Sequence, residues 1–151
     1  MNKFSWLEGR YPETRQGDTF CWMKRSAKQP NRVSQTIKAL EPGRLYSIKL
    51  ISADLQHLDR AEKLPLSITV SDAEILPGHS FQFVYPSSYS HEVPPYTKDH
   101  PAHFNFHRLV FRTNSTTADL AITDWASPTE RGGPEGQETV FNFVEVQPFV
   151  D

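Results

Sequence analysis

Apolar residues in this chain recur with a period of two, and proline or glycine breaks the pattern at short intervals. In Tyr46-Ser47-Ile48-Lys49-Leu50, apolar and polar side chains alternate. Leu64, Leu66, Ile68 and Val70 repeat the pattern. So do Phe81, Phe83 and Tyr85, then Ala118, Leu120 and Ile122. Val140, Asn142, Val144 and Val146 form one face of the last such run. Alternation of this kind makes strands, with one set of side chains in a core and the other on an outer face. The 12 prolines outnumber the 7 glycines and argue against long helices.

Turn chemistry separates the runs. Glu41-Pro42-Gly43-Arg44 places Pro where φ is preset and Gly where positive φ is needed. Pro77-Gly78 is a second turn, and Arg131-Gly132-Gly133-Pro134-Glu135-Gly136 is a loop. Pro86 to Pro101 is too broken for regular structure and reads as a long loop, a common place for function. Ser52 to Lys63 holds at most one helical turn and reads as a strand end and a polar loop. Many short strands with regular turns predict an all-β sandwich or barrel, of about eight or nine strands. The 151 residues fit one domain, residues 1–151, large enough for its own core.

Composition narrows the function classes. Lys plus Arg total 16 and Asp plus Glu 18, a net charge of −2. That balance lacks the basic bias of a nucleic-acid binder. No apolar run is long enough to span a membrane as a helix. Met1 leads directly into Asn2-Lys3-Phe4-Ser5-Trp6, without a basic-then-apolar signal segment. Cys21 is the single cysteine, so an internal disulfide and a thiolate zinc cluster are both excluded. Its apolar neighbours Phe20, Trp22 and Met23 suit a small buried residue.

Catalytic patterns are sparse. There is no Gly-x-Ser-x-Gly elbow, phosphate-binding glycine loop or His-Glu-x-x-His. Asp99, Asp124 and Glu138 are available acids, but their pattern is that of solvated carboxylates. Histidines stand at 57, 79, 91, 100, 103 and 107. On a strand His103 and His107 share a face, about 7 Å apart, slightly far for one metal ion. The histidines therefore read as surface or loop residues first and as a metal site second. Asn114-Ser115-Thr116 matches a glycosylation acceptor and reads as an exposed turn.

The aromatics, 12% of the chain, carry more information. If Cys21 and Met23 face the core, Phe20 and Trp22 face outward. If Leu109 and Phe111 face the core, Phe104 and Phe106 share the opposite face with Arg108 and Arg112. If Val144 and Val146 face the core, Phe141 and Phe143 also point outward. Outward aromatics on a sheet are either covered by the chain's own segments or open as a binding platform. An open platform suits sugars, because a pyranose has an apolar C–H face and a rim of hydroxyls. Tyr96 and Trp125, on loops or strand ends, are further candidates.

Three further stretches follow one another in a recognisable order. The first is Asn31-Arg32-Val33-Ser34-Gln35-Thr36-Ile37 with Leu40-Glu41-Pro42-Gly43-Arg44-Leu45-Tyr46. The second runs from Phe111 to Trp125, and the third from Gly136 to Val146. Together they bracket residues 31–148 and resemble jelly-roll carbohydrate-binding modules of the galactose-binding-like superfamily, of the type found beside xylanases and glucanases. The resemblance implies a jelly-roll β-sandwich that binds a plant or microbial polysaccharide or oligosaccharide without catalysis. It implies one module of a larger bacterial extracellular or periplasmic protein. It also implies a structural calcium between the first and last strands. Glu8 matches one ligand position, while Asn142 stands where the family usually has an acid, and an amide lacks the charge a hard cation favours.

The expected platform is Trp22, Phe104, Phe106, Trp125 and Tyr96, with Arg108 and Arg112 as hydrogen-bond donors. A protein-interaction or structural spacer on the same scaffold, and a histidine-metal enzyme, are the rival readings.

Overall fold

The computed structural model describes residues 20–87 and 96–150. Nine strands occur among them: β1 (Cys21–Lys24), β2 (Arg32–Ile37), β3 (Leu45–Asp54), β4 (Ser67–Val70), β5 (Ala73–Ile75), β6 (Phe81–Pro86), β7 (His103–Thr113), β8 (Ala118–Thr123) and β9 (Glu138–Pro148). A single 3-10 turn, Pro77–His79, precedes β6. Every strand pair is antiparallel. The protein is an all-β sandwich, as the period-two pattern predicts.

The larger sheet has six strands in the order β1-β9-β3-β7-β5, with β6 also pairing β7. The smaller has three, β2-β8-β4. The chain alternates between the sheets from β1 to β5, stays in the larger through β7, crosses to the smaller for β8 and returns for β9. Long β7 is shared along its length: β6 pairs its first half and β5 its end.

Apolar residues from both sheets meet between them. Tyr46, Ile48 and Leu50 of β3 pack with Phe111 of β7, Phe141 of β9, and Leu120 and Ile122 of β8. The Tyr46 and Phe111 rings stack with centroids 5.9 Å apart. Burying a side chain such as Phe111 or Ile48 contributes about 1.5–3 kcal/mol each. Turns hold the register. Gly43 takes φ +79° in the turn at Glu41–Arg44, where the Arg44 N–H donates to the Glu41 carbonyl at 3.1 Å.

Two strands depart from the sequence pattern. In β9 the pairing with β3 shifts between Lys49 and Ile51, a bulge that sets two β9 residues against Leu50. Phe143 sits in it with φ +55°. The extra residue reverses the parity of the strand. Phe141, expected outward, is therefore buried, while Val144 is exposed. In β6, Phe81, Phe83 and Tyr85 pair opposite Arg108, Phe106 and Phe104 and share their outer face. The polar residue between them, Gln82, points inward and donates to Asn105 Oδ1 and the Leu64 carbonyl.

Candidate functional site

The outer face of the six-stranded sheet is organised in rows that cross the strands. One row runs Phe81, Arg108, Lys49, Glu145 across β6, β7, β3 and β9. Two residues along, the next runs Phe83, Phe106, Ile51, Asn142. The third begins with Tyr85 and Phe104 and continues through Ala53, Val140 and Trp22 of β1.

The third row is covered from Tyr85 to Val140, and only Trp22 at its β1 end is open. Ala53, Phe104 and Val140 pack with Leu58 and Ala102 in a second small core. Phe20, Leu55, Tyr85 and Tyr96 close around it. The His103 N–H donates to the Leu58 carbonyl at 2.7 Å and ties the covering loop down. Phe104 faces the outer side, as its place in the alternation predicts. It is nonetheless 4% exposed, so it is packing and not platform. Burial pushes the Tyr85 hydroxyl above its usual pKa. Burial, then the nearby Asp59 charge, does the same to Tyr96.

The other two rows are open. Phe81 is 41% exposed and Phe83 46%. Phe106 is half-buried between them and Ile51. The Phe81 and Phe83 rings stack at 5.8 Å, and Phe106 lies 6.1 Å from one and 5.3 Å from the other. The Arg108 guanidinium carbon lies 4.3 Å from the Phe81 ring centre and 5.4 Å from that of Phe149. Its Nε donates to the His79 carbonyl at 2.9 Å. Stacking between rings plus that hydrogen bond fixes the guanidinium beside the aromatic surface.

The remaining expected residues scatter. Trp22 is 51% exposed, on the edge strand at the open end of the third row. Arg112 shares the Arg108 face further along β7, where its Nε donates to Glu74 Oε2 at 2.7 Å. That contact holds the Glu74 carboxyl below its usual pKa, by hydrogen bond first and charge second. The pair borders a shallow depression of about 280 Å³ with Asp72 and Asn114. Trp125 follows β8 in the smaller sheet, and its indole N–H donates to the Ser26 carbonyl at 3.2 Å. It is not part of the outer face of the larger sheet.

Of the histidines and acids singled out from the sequence, His107 and Asp124 are buried, while Asp99 and His100 are exposed. His107 is buried, with Nε2 2.7 Å from the Ser52 hydroxyl, and burial pushes its pKa down to about 4. His103 points to the same side, and its buried Nδ1 has no hydrogen-bond partner among the described residues. His91 lies outside the described residues. Asp124, expected to be a solvated acid, is fully buried. Its carboxylate accepts from the backbone and side-chain N–H groups of Asn31 at 2.8 and 2.7 Å. Beside it, buried Arg25 donates to the carbonyls of Asp124 and Pro65 at 2.7 Å each, and to Gln137 Oε1.

Asn142 fits a calcium poorly. Its amide oxygen accepts from the Phe143 N–H at 2.7 Å, as part of the bulge. Glu8 lies outside the described residues. Among the described residues, no three His, Cys, Asp or Glu side chains are grouped as ligands.

Phe81 and Phe83 are exposed platform residues that sequence reasoning left unassigned to either face. Their alternation is identical for either face of the sheet. The available signal was Gln82, whose amide finds its partners inside. No protein-family model, curated protein or solved structure matches this chain.

Proposed function

We propose that this domain binds carbohydrate, without catalysis, on the outer face of its six-stranded sheet. The observation that carries the reading is the open aromatic surface of Phe81, Phe83 and Phe106 beside an anchored Arg108. A pyranose stacks its C–H face on such rings and turns its hydroxyls to the flanking donors. Arg108, Lys49 and Asn142 supply those donors within the same two rows. The surface is a strip across strands and not a deep pocket, which suits an extended polysaccharide.

The resemblance of residues 31–148 to jelly-roll carbohydrate-binding modules supports the same reading. So does the switching of strands between a larger and a smaller sheet. On this reading the domain is an accessory module of a larger secreted protein. Affinity is modest, since each sugar hydroxyl exchanges one hydrogen bond to water for one to protein.

Affinity gel electrophoresis against xylans, β-glucans and pectins tests the proposal. Retention on at least one polysaccharide, lost in Phe83→Ala and Phe106→Ala, is the expected result. Migration unaffected by every polysaccharide would overturn it.

A further inference from the structure

Two cations stand opposite each other at the edge of the aromatic surface. Arg108 of β7 pairs with Lys49 of β3, and both are half-buried. Like charges directly across two strands weaken a sheet. The ion pairs formed among the described residues join Arg44 to Glu41 and Arg112 to Glu74, and neither includes these two. Glu145 follows Lys49 in the row but is exposed. The row thus carries two positive charges against one negative charge. Arg108 uses Nε on the His79 carbonyl, and among the described residues no acceptor takes its two Nη groups.

Resting on the carbohydrate reading above, we infer that this surface selects an acidic sugar: a pyranose bearing a carboxylate, as in a uronate polysaccharide. The sugar ring stacks on Phe83 and Phe106. Its carboxylate meets the Nη pair of Arg108, with Lys49 adding charge from the neighbouring strand. The two rows are separated by two residues of strand, roughly 6.8 Å. A ring centred over one row therefore brings its exocyclic carboxylate within hydrogen-bond reach of the other. A guanidinium matches the planar carboxylate through two parallel N–H···O bonds, which a neutral hydroxymethyl group does not offer. An uncharged sugar leaves the two cations facing each other, whereas a uronate resolves that repulsion on binding.

The full chain is run in affinity gels containing polygalacturonate or alginate, and in parallel gels of uncharged xylan, β-glucan and methyl-esterified pectin. A gel of dextran sulfate tests attraction to polyanions in general. Retention on the uronates, about tenfold weaker after esterification of the ligand, is expected. Arg108→Gln and Lys49→Gln each reduce uronate affinity by a similar factor, and Arg108→Lys restores only part of it. Arg44→Gln, at an exposed turn, leaves retention unchanged. If Arg108→Gln does not fold, Lys49→Gln and the esterified ligand still decide the question. Equal retention on uncharged and uronate gels overturns the acidic-sugar inference and leaves carbohydrate binding standing. Equal retention on dextran sulfate and the uronates overturns it too, as unspecific charge attraction. Retention on no glycan overturns both readings.

Discussion

The Ser52 hydroxyl lies 2.7 Å from Nε2 of His107, on neighbouring strands and inside the sandwich. His107 is flanked there by Leu50 on β3 and Gln82 on β6. Neither neighbour compensates an imidazolium, so burial holds the ring neutral.

Stability consequently falls with acid in a defined window. The native pKa of His107 is depressed from 6.5 to about 4, so between those values the unfolded chain binds the extra proton. The stabilisation is complete above pH 6.5 and is lost as pH falls toward 4. Its size is on the order of 3 kcal/mol. Urea titrations at successive pH values measure the slope. His107→Asn should flatten it in this window while leaving the steeper loss at lower pH, where carboxylates protonate.

Arg25 is the most consequential buried charge. It is 1% exposed, and its guanidinium joins the Asp124 and Pro65 carbonyls to Gln137. Gln137 in turn donates to Asp54 Oδ2 at 2.7 Å, so one network links β1, β3 and the loops after β8. Burial lowers the Arg25 pKa, and the Asp124 and Asp54 charges oppose that shift. Arg25→Met removes the cation and leaves buried Asp124 uncompensated. A loss of roughly 3–5 kcal/mol is expected in chemical denaturation. A double variant with Asp124→Asn should recover part of it.

Much of this architecture is legible in the residues, but not all of it. In β7, Leu109 and Phe111 on one side and Phe106, Arg108 and Arg112 on the other follow directly from alternation, because the strand is unbroken. In β9 the same reasoning fails at Phe143, since a bulge inserts one residue and nothing in Asn142-Phe143-Val144 announces it. β2, at the edge of the smaller sheet, is exposed at every position but Ile37, so its burial follows no period. Alternation also says nothing about what covers a face. Phe104 and Phe106 are two residues apart on one side of one strand. The loops carrying Leu58 and Ala102 bury the first and stop short of the second. Arg25 and Asp124 were illegible for a different reason: their pairing spans 99 residues.

Backbone strain offers a stabilising change. Ala39 is exposed and has φ +58°, just before Leu40 enters the core. The left-handed region costs a residue with a Cβ about 1–2 kcal/mol, and glycine avoids most of that cost. Glycine also loses more chain entropy on folding, which offsets part of the gain. Ala39→Gly should therefore raise stability by roughly 0.5–1 kcal/mol. Ala39→Val should lower it, since a β-branched side chain tolerates positive φ least. Paired thermal unfolding curves distinguish the two signs.

Phe104 and Phe83 separate folding from binding on a single face. Phe104 is almost wholly buried, in contact with the Tyr85 ring at 6.0 Å and packed with Leu58 and Ala102. Phe104→Ala opens a cavity in the second core and should cost about 3–5 kcal/mol. Phe83 is 46% exposed and lies in the open row beside Phe106. Phe83→Ala removes surface that water already reaches, so unfolding should shift by less than about 1 kcal/mol. Its effect should fall on polysaccharide retention, which drops at least severalfold when one of the stacking rings is lost. Phe104→Ala protein that remains folded should keep its retention, because its ring never meets the ligand. Denaturation and affinity electrophoresis on the same two variants give the comparison, and a binding loss confined to Phe104→Ala would move the site from the open rows to the covered one.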